Sequence, residues 1–162
     1  LGRFRQEKGY ESLINLVNQL KMNVNLKMVG NDFKYLKKAH YPKNKKIRIF
    51  GQVSSNTRLI KFFDQSDIFI LPSFIEAYPQ VILESLSRLK PIVIFNEIEY
   101  LKKTFPYGLY NCKRNKRDFE KKLFDVIIST NLESNLDIDS KFVYNTYSID
   151  EKTIDDKSIL QS

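Results

Sequence analysis

The chain has one cysteine, one histidine, five glycines and five prolines among its 162 residues. A lone Cys112 forms no internal disulfide, so nothing marks a secreted, disulfide-stapled scaffold, and a reducing compartment is the simpler expectation. His40 and Cys112 lie far apart in sequence, and no metal-ligand spacing is present. The low glycine and proline content, with 42% hydrophobic and 28% charged residues, excludes collagen, coiled coil and wholesale disorder. The longest apolar runs, residues 68–72 and 91–95, fall far short of the roughly 18–20 residues a membrane span needs. Residues 1–4, Leu1-Gly2-Arg3-Phe4, carry no signal-peptide progression, and a start without Met reads as a fragment. The length suits one domain with a real core and is too short for two of ordinary size.

Charge is uneven along the chain. Residues 1–61 hold 14 Lys and Arg against Glu7, Glu11 and Asp32, a net +11, so the rest carries −3 of the overall +8. The stretch 131–162 has seven acids against three lysines and no sustained apolar period, which predicts an acidic polar tail packing on the surface or partly disordered. The basic first third suits a phosphorylated ligand, anionic lipid or nucleic acid. No helix-turn-helix, RNP or zinc pattern supports the last of these.

Apolar periodicity alternates between two types. Leu13, Leu16, Val17 and Leu20 form one helical stripe; residues 26–30 then read as a buried strand ending in glycine. A helix is expected over 32–40 and a strand over 47–51. A further helix, capped by Asn56 or Thr57, carries Leu59, Ile60, Phe62 and Phe63. Residues 67–73 suit a strand buried on both faces, and 80–89 a helix with Val81, Ile82, Ser85, Leu86 and Leu89 on its apolar face and Pro79 in its first turn. A strand over 91–95, a short helix over 97–103, a weaker strand over 108–112 and a long helix over 115–129 complete the series. Strands alternating with helices predict an α/β, doubly wound parallel sheet spanning residues 1–130. Ligands of such sheets bind beyond the carboxyl ends of the strands, here the loops 2–9, 30–32, 51–56, 73–80 and 96–99.

The loop after 67–73 holds two carboxylates, Glu76 and Glu84, eight residues apart. With a helix starting near Pro79, Glu76 lies in the loop and Glu84 about one and a half turns into the helix, so both can face one cleft. A carboxylate accepts two hydroxyl hydrogen bonds at once, as a vicinal diol requires, and the amides at the helix start are donors for a phosphate. A nucleotide sugar offers both. The plain alternative is two solvated carboxylates.

The stretch Glu76-Ala77-Tyr78-Pro79-Gln80-Val81-Ile82-Leu83-Glu84-Ser85 resembles the Glu-x7-Glu motif of retaining glycosyltransferases of the GT-B fold, written E-G-F-P-N-V-L-L-E-A in glycosyltransferase family 4. Gly2-Arg3 with Glu7-Lys8-Gly9 resembles the family's G-R…E-K-G opening, Met28-Val29-Gly30 its second strand, Phe50-Gly51 its third, and residues 66–73 its A-D-V-F-V-L-P-S strand. The likeness covers about residues 1–112 and rests on order and spacing. It implies the nucleotide-sugar-binding, Rossmann-like half of a two-domain enzyme, with the N-terminal acceptor domain and the first strand of this half lying upstream, and hence a gap or edge in the sheet. By the resemblance, Arg3 and Lys8 match the cations on the diphosphate, Glu76 the contact to the transferred sugar and Glu84 the ribose contact. The backbone of Ala77, Tyr78, Pro79, Gln80 and Val81 lines the sugar and distal phosphate.

The donor is then a nucleoside-diphosphate sugar and the acceptor a glycan or lipid-linked hydroxyl, with no metal, no cofactor and no nucleic acid partner. A cytoplasmic enzyme with peripheral contact at the inner membrane face is implied, in polysaccharide biosynthesis. Two departures from the family pattern stand out. Ala77 replaces a common glycine, and Phe95-Asn96-Glu97-Ile98-Glu99 replaces a Gly-Gly-x-x-Glu loop. A non-catalytic nucleotide-sugar-binding module and a basic nucleic-acid-binding domain are the rival readings.

Overall fold

A computed structural model describes residues 6–30, 46–130 and 140–145. Six strands, β1 (Val24–Val29), β2 (Ile47–Phe50), β3 (Ile68–Leu71), β4 (Ile92–Phe95), β5 (Leu109–Cys112) and β6 (Ser140–Asn145), form one sheet in the order β2-β1-β6-β3-β4-β5. Every pairing is parallel. Helices α1 (Tyr10–Gln19), α2 (Asn56–Asp64), α3 (Gln80–Leu86) and α4 (Lys116–Ser129) alternate with the strands, so the expected α/β parallel fold is observed. Short 3-10 segments at Gln6–Lys8 and Asn96–Lys103 sit before α1 and after β4.

The period of two along buried strands explains the double winding. Ile68, Ile70, Val93 and Phe95 join Leu13, Ile14 and Val17 of α1 and Phe119, Leu123 and Val126 of α4 in one core. Their strand neighbours Phe69, Leu71, Ile92 and Ile94 point to the other side and pack with Leu59 and Phe63 of α2, Val81 and Ile82 of α3, and Ile98 and Leu101 of the 3-10 segment.

The structure differs from the expectations at several points. Residues 131–162 were expected as a surface tail, yet Ser140–Asn145 form a strand between β1 and β3, in register with both. Phe142, Val143 and Tyr144 are strand formers by propensity, and so short a run needs no sustained period. Among the described strands there is therefore no gap at the sheet centre, and its edges are β2 and β5. The cap of α2 is Ser55, whose hydroxyl accepts from the Arg58 amide at 3.4 Å, in place of Asn56 or Thr57. The helix expected over 80–89 ends at Leu86; Leu89 leaves the apolar face and is 92% exposed, with φ 56°. Its amide and that of Lys90 close the helix end onto the carbonyls of Leu86 and Ser85. The segment 97–103 is a 3-10 helix kinked at Ile98. The helix expected over 32–40 lies outside the described residues.

Two positions in the left-handed backbone region make opposite predictions. Gly9 has φ 67°, and a Cβ there would lie 1.9 Å from the Pro72 carbonyl oxygen, so Gly9→Ala should cost about 2 kcal/mol or more. Leu89 occupies the same region with a side chain that packs on nothing, so Leu89→Gly should be neutral or stabilise by up to about 1 kcal/mol. Urea unfolding of both variants checks the pair; a stable Gly9→Ala protein would contradict the contact with Pro72.

Candidate functional site

The carboxyl ends of β3, β4 and β5 open onto one group of side chains. The turn Gln6–Lys8 reaches this end because Gly9 seats on the Pro72 carbonyl and the Phe74 amide donates to the Glu7 carbonyl at 2.7 Å. Lys8 is thereby brought to Glu76, 68 residues away, with Nζ 2.7 Å from Oε1. The fully buried Ser73 donates its hydroxyl to the same oxygen at 2.6 Å. The Lys8 side chain is 21% exposed and that of Glu76 10%, so this ion pair is poorly screened by water.

The main chain of Glu76 is held from a different element. Tyr100, on the 3-10 segment after β4, accepts from the Glu76 amide at 2.9 Å and donates to the Glu76 carbonyl. From the loop after β5, Arg114 donates through Nε to Glu97 at 2.9 Å and through Nη2 to the Ser73 carbonyl at 3.1 Å. Its guanidinium lies 4.0 Å from the Phe74 ring centre and 4.1 Å from that of Phe95. Burial pushes the Glu97 carboxyl up, but the hydrogen bond and charge of Arg114, with a backbone donor, outweigh it and hold the group below its ordinary range. A polar chain continues beside it: Lys102 donates to Asn111, and Asn111 to Asn96.

Glu84 stands in a different environment. It is half-buried on α3, and its Oε2 is buried with no hydrogen-bond partner among the described residues. Desolvation raises its pKa above the ordinary carboxylate value. Such an oxygen is an acceptor awaiting a donor.

The sequence-predicted residues thus separate into three groups. Glu76 and Lys8 are brought together, bonded to one another. Glu84 stands apart from that hydrogen-bonded group. Arg3 lies outside the described residues. Between the two glutamates, Ala77, Tyr78 and Gln80 are exposed, whereas Pro79 and Val81 are buried and Val81 belongs to the core, so only its backbone is available to a ligand. The Tyr78 ring packs on Phe105 with centres 5.4 Å apart. Sequence reasoning included Ser73 and Glu97 in its strand-end loops but missed Tyr100 and Arg114. The only signal for these two was their position just past the ends of β4 and β5.

A family model described as "Glycosyl transferases group 1" matches residues 1–139. No curated protein matches the chain.

Cys112, at the end of β5, is no candidate nucleophile. Burial, the largest influence, pushes its thiol up to about 12, and Sγ lies 3.8 Å from the Ile94 carbonyl oxygen. Native protein should resist iodoacetamide at about pH 8 and label fully once unfolded in guanidinium. Rapid labelling of the folded protein would overturn this placement.

Proposed function

The chain belongs to the glycosyl transferases of group 1, and from that premise we propose that it forms the donor-binding half of a retaining, two-domain GT-B enzyme of family 4. The enzyme transfers a hexosyl unit from a nucleoside-diphosphate sugar to a hydroxyl of a glycan or lipid-linked acceptor. The observation that carries the reading is the contrast between the two glutamates: Glu76 is oriented by Lys8 and Ser73, while Glu84 keeps a buried acceptor oxygen with no partner among the described residues. A ribose diol supplies the donors that Glu84 lacks. Glu76 retains acceptor capacity on its second oxygen for a sugar hydroxyl.

Chemistry follows from charge. As the glycosidic bond breaks, negative charge develops on the leaving diphosphate, and preplaced cations stabilise that change. Lys8 carries three N–H donors, so it can hold Glu76 and bridge to a phosphate oxygen together. Arg3 is the second cation of the proposed site. With retention through front-face attack, the acceptor oxygen bonds to the anomeric carbon on the side the diphosphate leaves, and its proton passes to a departing phosphate oxygen. This scheme requires no metal. The backbone of residues 77–81 lines the sugar and distal phosphate, starting after Glu76, whose own amide is taken by Tyr100. The net +11 of residues 1–61 suits a peripheral contact with anionic lipid at the inner membrane face, where a lipid-linked acceptor would be met.

Titration with UDP, GDP and ADP by ligand-observed NMR tests the reading. One nucleotide should bind saturably, and Glu84→Ala should weaken it roughly 10-fold to 100-fold, the worth of hydrogen bonds to a charged group. A folded protein that binds none at millimolar concentration would overturn the proposal.

Glu84 also sets a pH dependence. Its folded-state pKa is raised, so the ionised acceptor is complete above that value, and nucleotide affinity should fall as pH drops through it, at higher pH than for an ordinary carboxylate. For stability the sign is opposite. The folded state holds the Glu84 proton more tightly than the unfolded chain, so ionisation at neutral pH opposes folding. Glu84→Gln should therefore lose nucleotide affinity while its Tm at pH 7 equals or exceeds that of wild type; a clear drop in Tm would show that the charge is compensated.

A further inference from the structure

We propose that Tyr100 and Arg114 are positioning residues for Glu76, fixing the loop after β3 so that the carboxylate meets the sugar of the donor; the inference rests on the reading of Glu76 given above.

The loop that carries Glu76 buries little of its own. Ile75 is 64% and Tyr78 57% exposed, so packing alone holds it weakly and its shape depends on directed bonds. Two of those bonds end on the Glu76 side chain, from Lys8 and Ser73. A ligand that engages Lys8 and Glu76 reworks them. The others end on main chain and lie outside the reacting groups. The Tyr100 hydroxyl pins both polar backbone groups of Glu76, donating to its carbonyl and accepting from its amide. Tyr100 is itself placed by its buried neighbours Ile98 and Leu101, which pack in the core beneath the 3-10 segment. Arg114 fixes the carbonyl of Ser73, the residue whose hydroxyl orients the carboxylate.

The guanidinium is already constrained by Glu97 and by two aromatic rings, so little freedom remains to be lost when it holds the loop. Its remaining donor, Nη1, is buried with no hydrogen-bond partner among the described residues, which indicates that the fork is placed by Ser73 and Glu97 at the expense of its third group. The loops after β3, β4 and β5 are therefore tied to one another by these bonds. Displacement of Glu76 by a fraction of an ångström changes its fit to a sugar hydroxyl without touching a nucleotide held at Glu84.

Tyr100→Phe keeps the ring and removes the hydroxyl; Arg114→Lys keeps the charge and removes the fork. The dissociation constants of the nucleoside diphosphate and of its sugar conjugate are measured for both variants and for Glu76→Gln. Diphosphate affinity should stay within about twofold of wild type, while the gain contributed by the sugar shrinks about fivefold to tenfold, as in Glu76→Gln. Equal weakening of both ligands would signal general loosening and overturn the inference. So would a wild-type sugar gain in both variants when Glu76→Gln has lost it. A ligand-free measurement separates this from the functional reading: hydrogen exchange at the Glu76 amide should accelerate in Tyr100→Phe. Absence of nucleotide binding in wild type would count against the proposed function, whereas unchanged exchange at Glu76 would count against the role of Tyr100.

Discussion

The seating of Gly9 against the Pro72 carbonyl is the contact on which the rest of the site depends. There is no room for a Cβ between them, and Gly9 adopts a left-handed conformation that only glycine takes readily. The same residue caps α1, with the Leu13 amide bonded to its carbonyl. Burial of Leu13, Ile14 and Val17 against the sheet therefore fixes where Gly9 lies, and Gly9 fixes where the turn Gln6–Lys8 meets the exit of β3. Placement of the Lys8 ammonium is a consequence of core packing several residues away. A one-residue change in the start of α1 would rotate its stripe off the core and carry Lys8 with it.

The two glutamates show how one helix-proximal segment holds carboxylates in contrasting states. Glu76 has a cation, a hydroxyl and two main-chain ties, and its geometry is set before any ligand arrives. Glu84 has a buried oxygen with no hydrogen-bond partner among the described residues, and leaving it so costs free energy. A site optimised for stability would place a neutral or apolar group at residue 84. On the proposed reading, the carboxylate gives up that stability in exchange for recognition of the donor.

Much of the fold was legible because buried parallel strands have few sequence solutions. The uniform apolar runs at 68–71 and 92–95 suit strands covered on both faces, and the stripes at Leu13, Leu16 and Val17 and at Phe119, Leu123 and Val126 pointed to two of the helices. The pair Glu76 and Glu84 was legible from spacing within one segment. What escaped was long-range: Tyr100 lies 24 residues from Glu76 and Arg114 41 from Ser73, and neither a tyrosine in a 3-10 turn nor an arginine after a strand has a period that announces its partner. Local competition hid the rest. Ser55, Asn56 and Thr57 are all good caps, and the choice falls on whichever hydroxyl reaches a free amide. Leu89 gave no sign of a left-handed cap because glycine is the usual residue there.

Strand β6 sits where the winding of the sheet reverses. From β1 the chain steps outward to β2, and from β3 through β4 to β5 it steps the other way, so the direction of winding reverses between β1 and β3. Adjacent strands lie about 4.8 Å apart, and with Ser140–Asn145 between them the carboxyl ends of β1 and β3 are separated by roughly 10 Å. Such a reversal point, beyond the carboxyl ends of the strands, is where open parallel sheets bind their ligands. A strand late in the sequence thus sets the spacing of two earlier ones, and its place could not be read from composition because a central position is assigned by pairing, not by the strand's own residues.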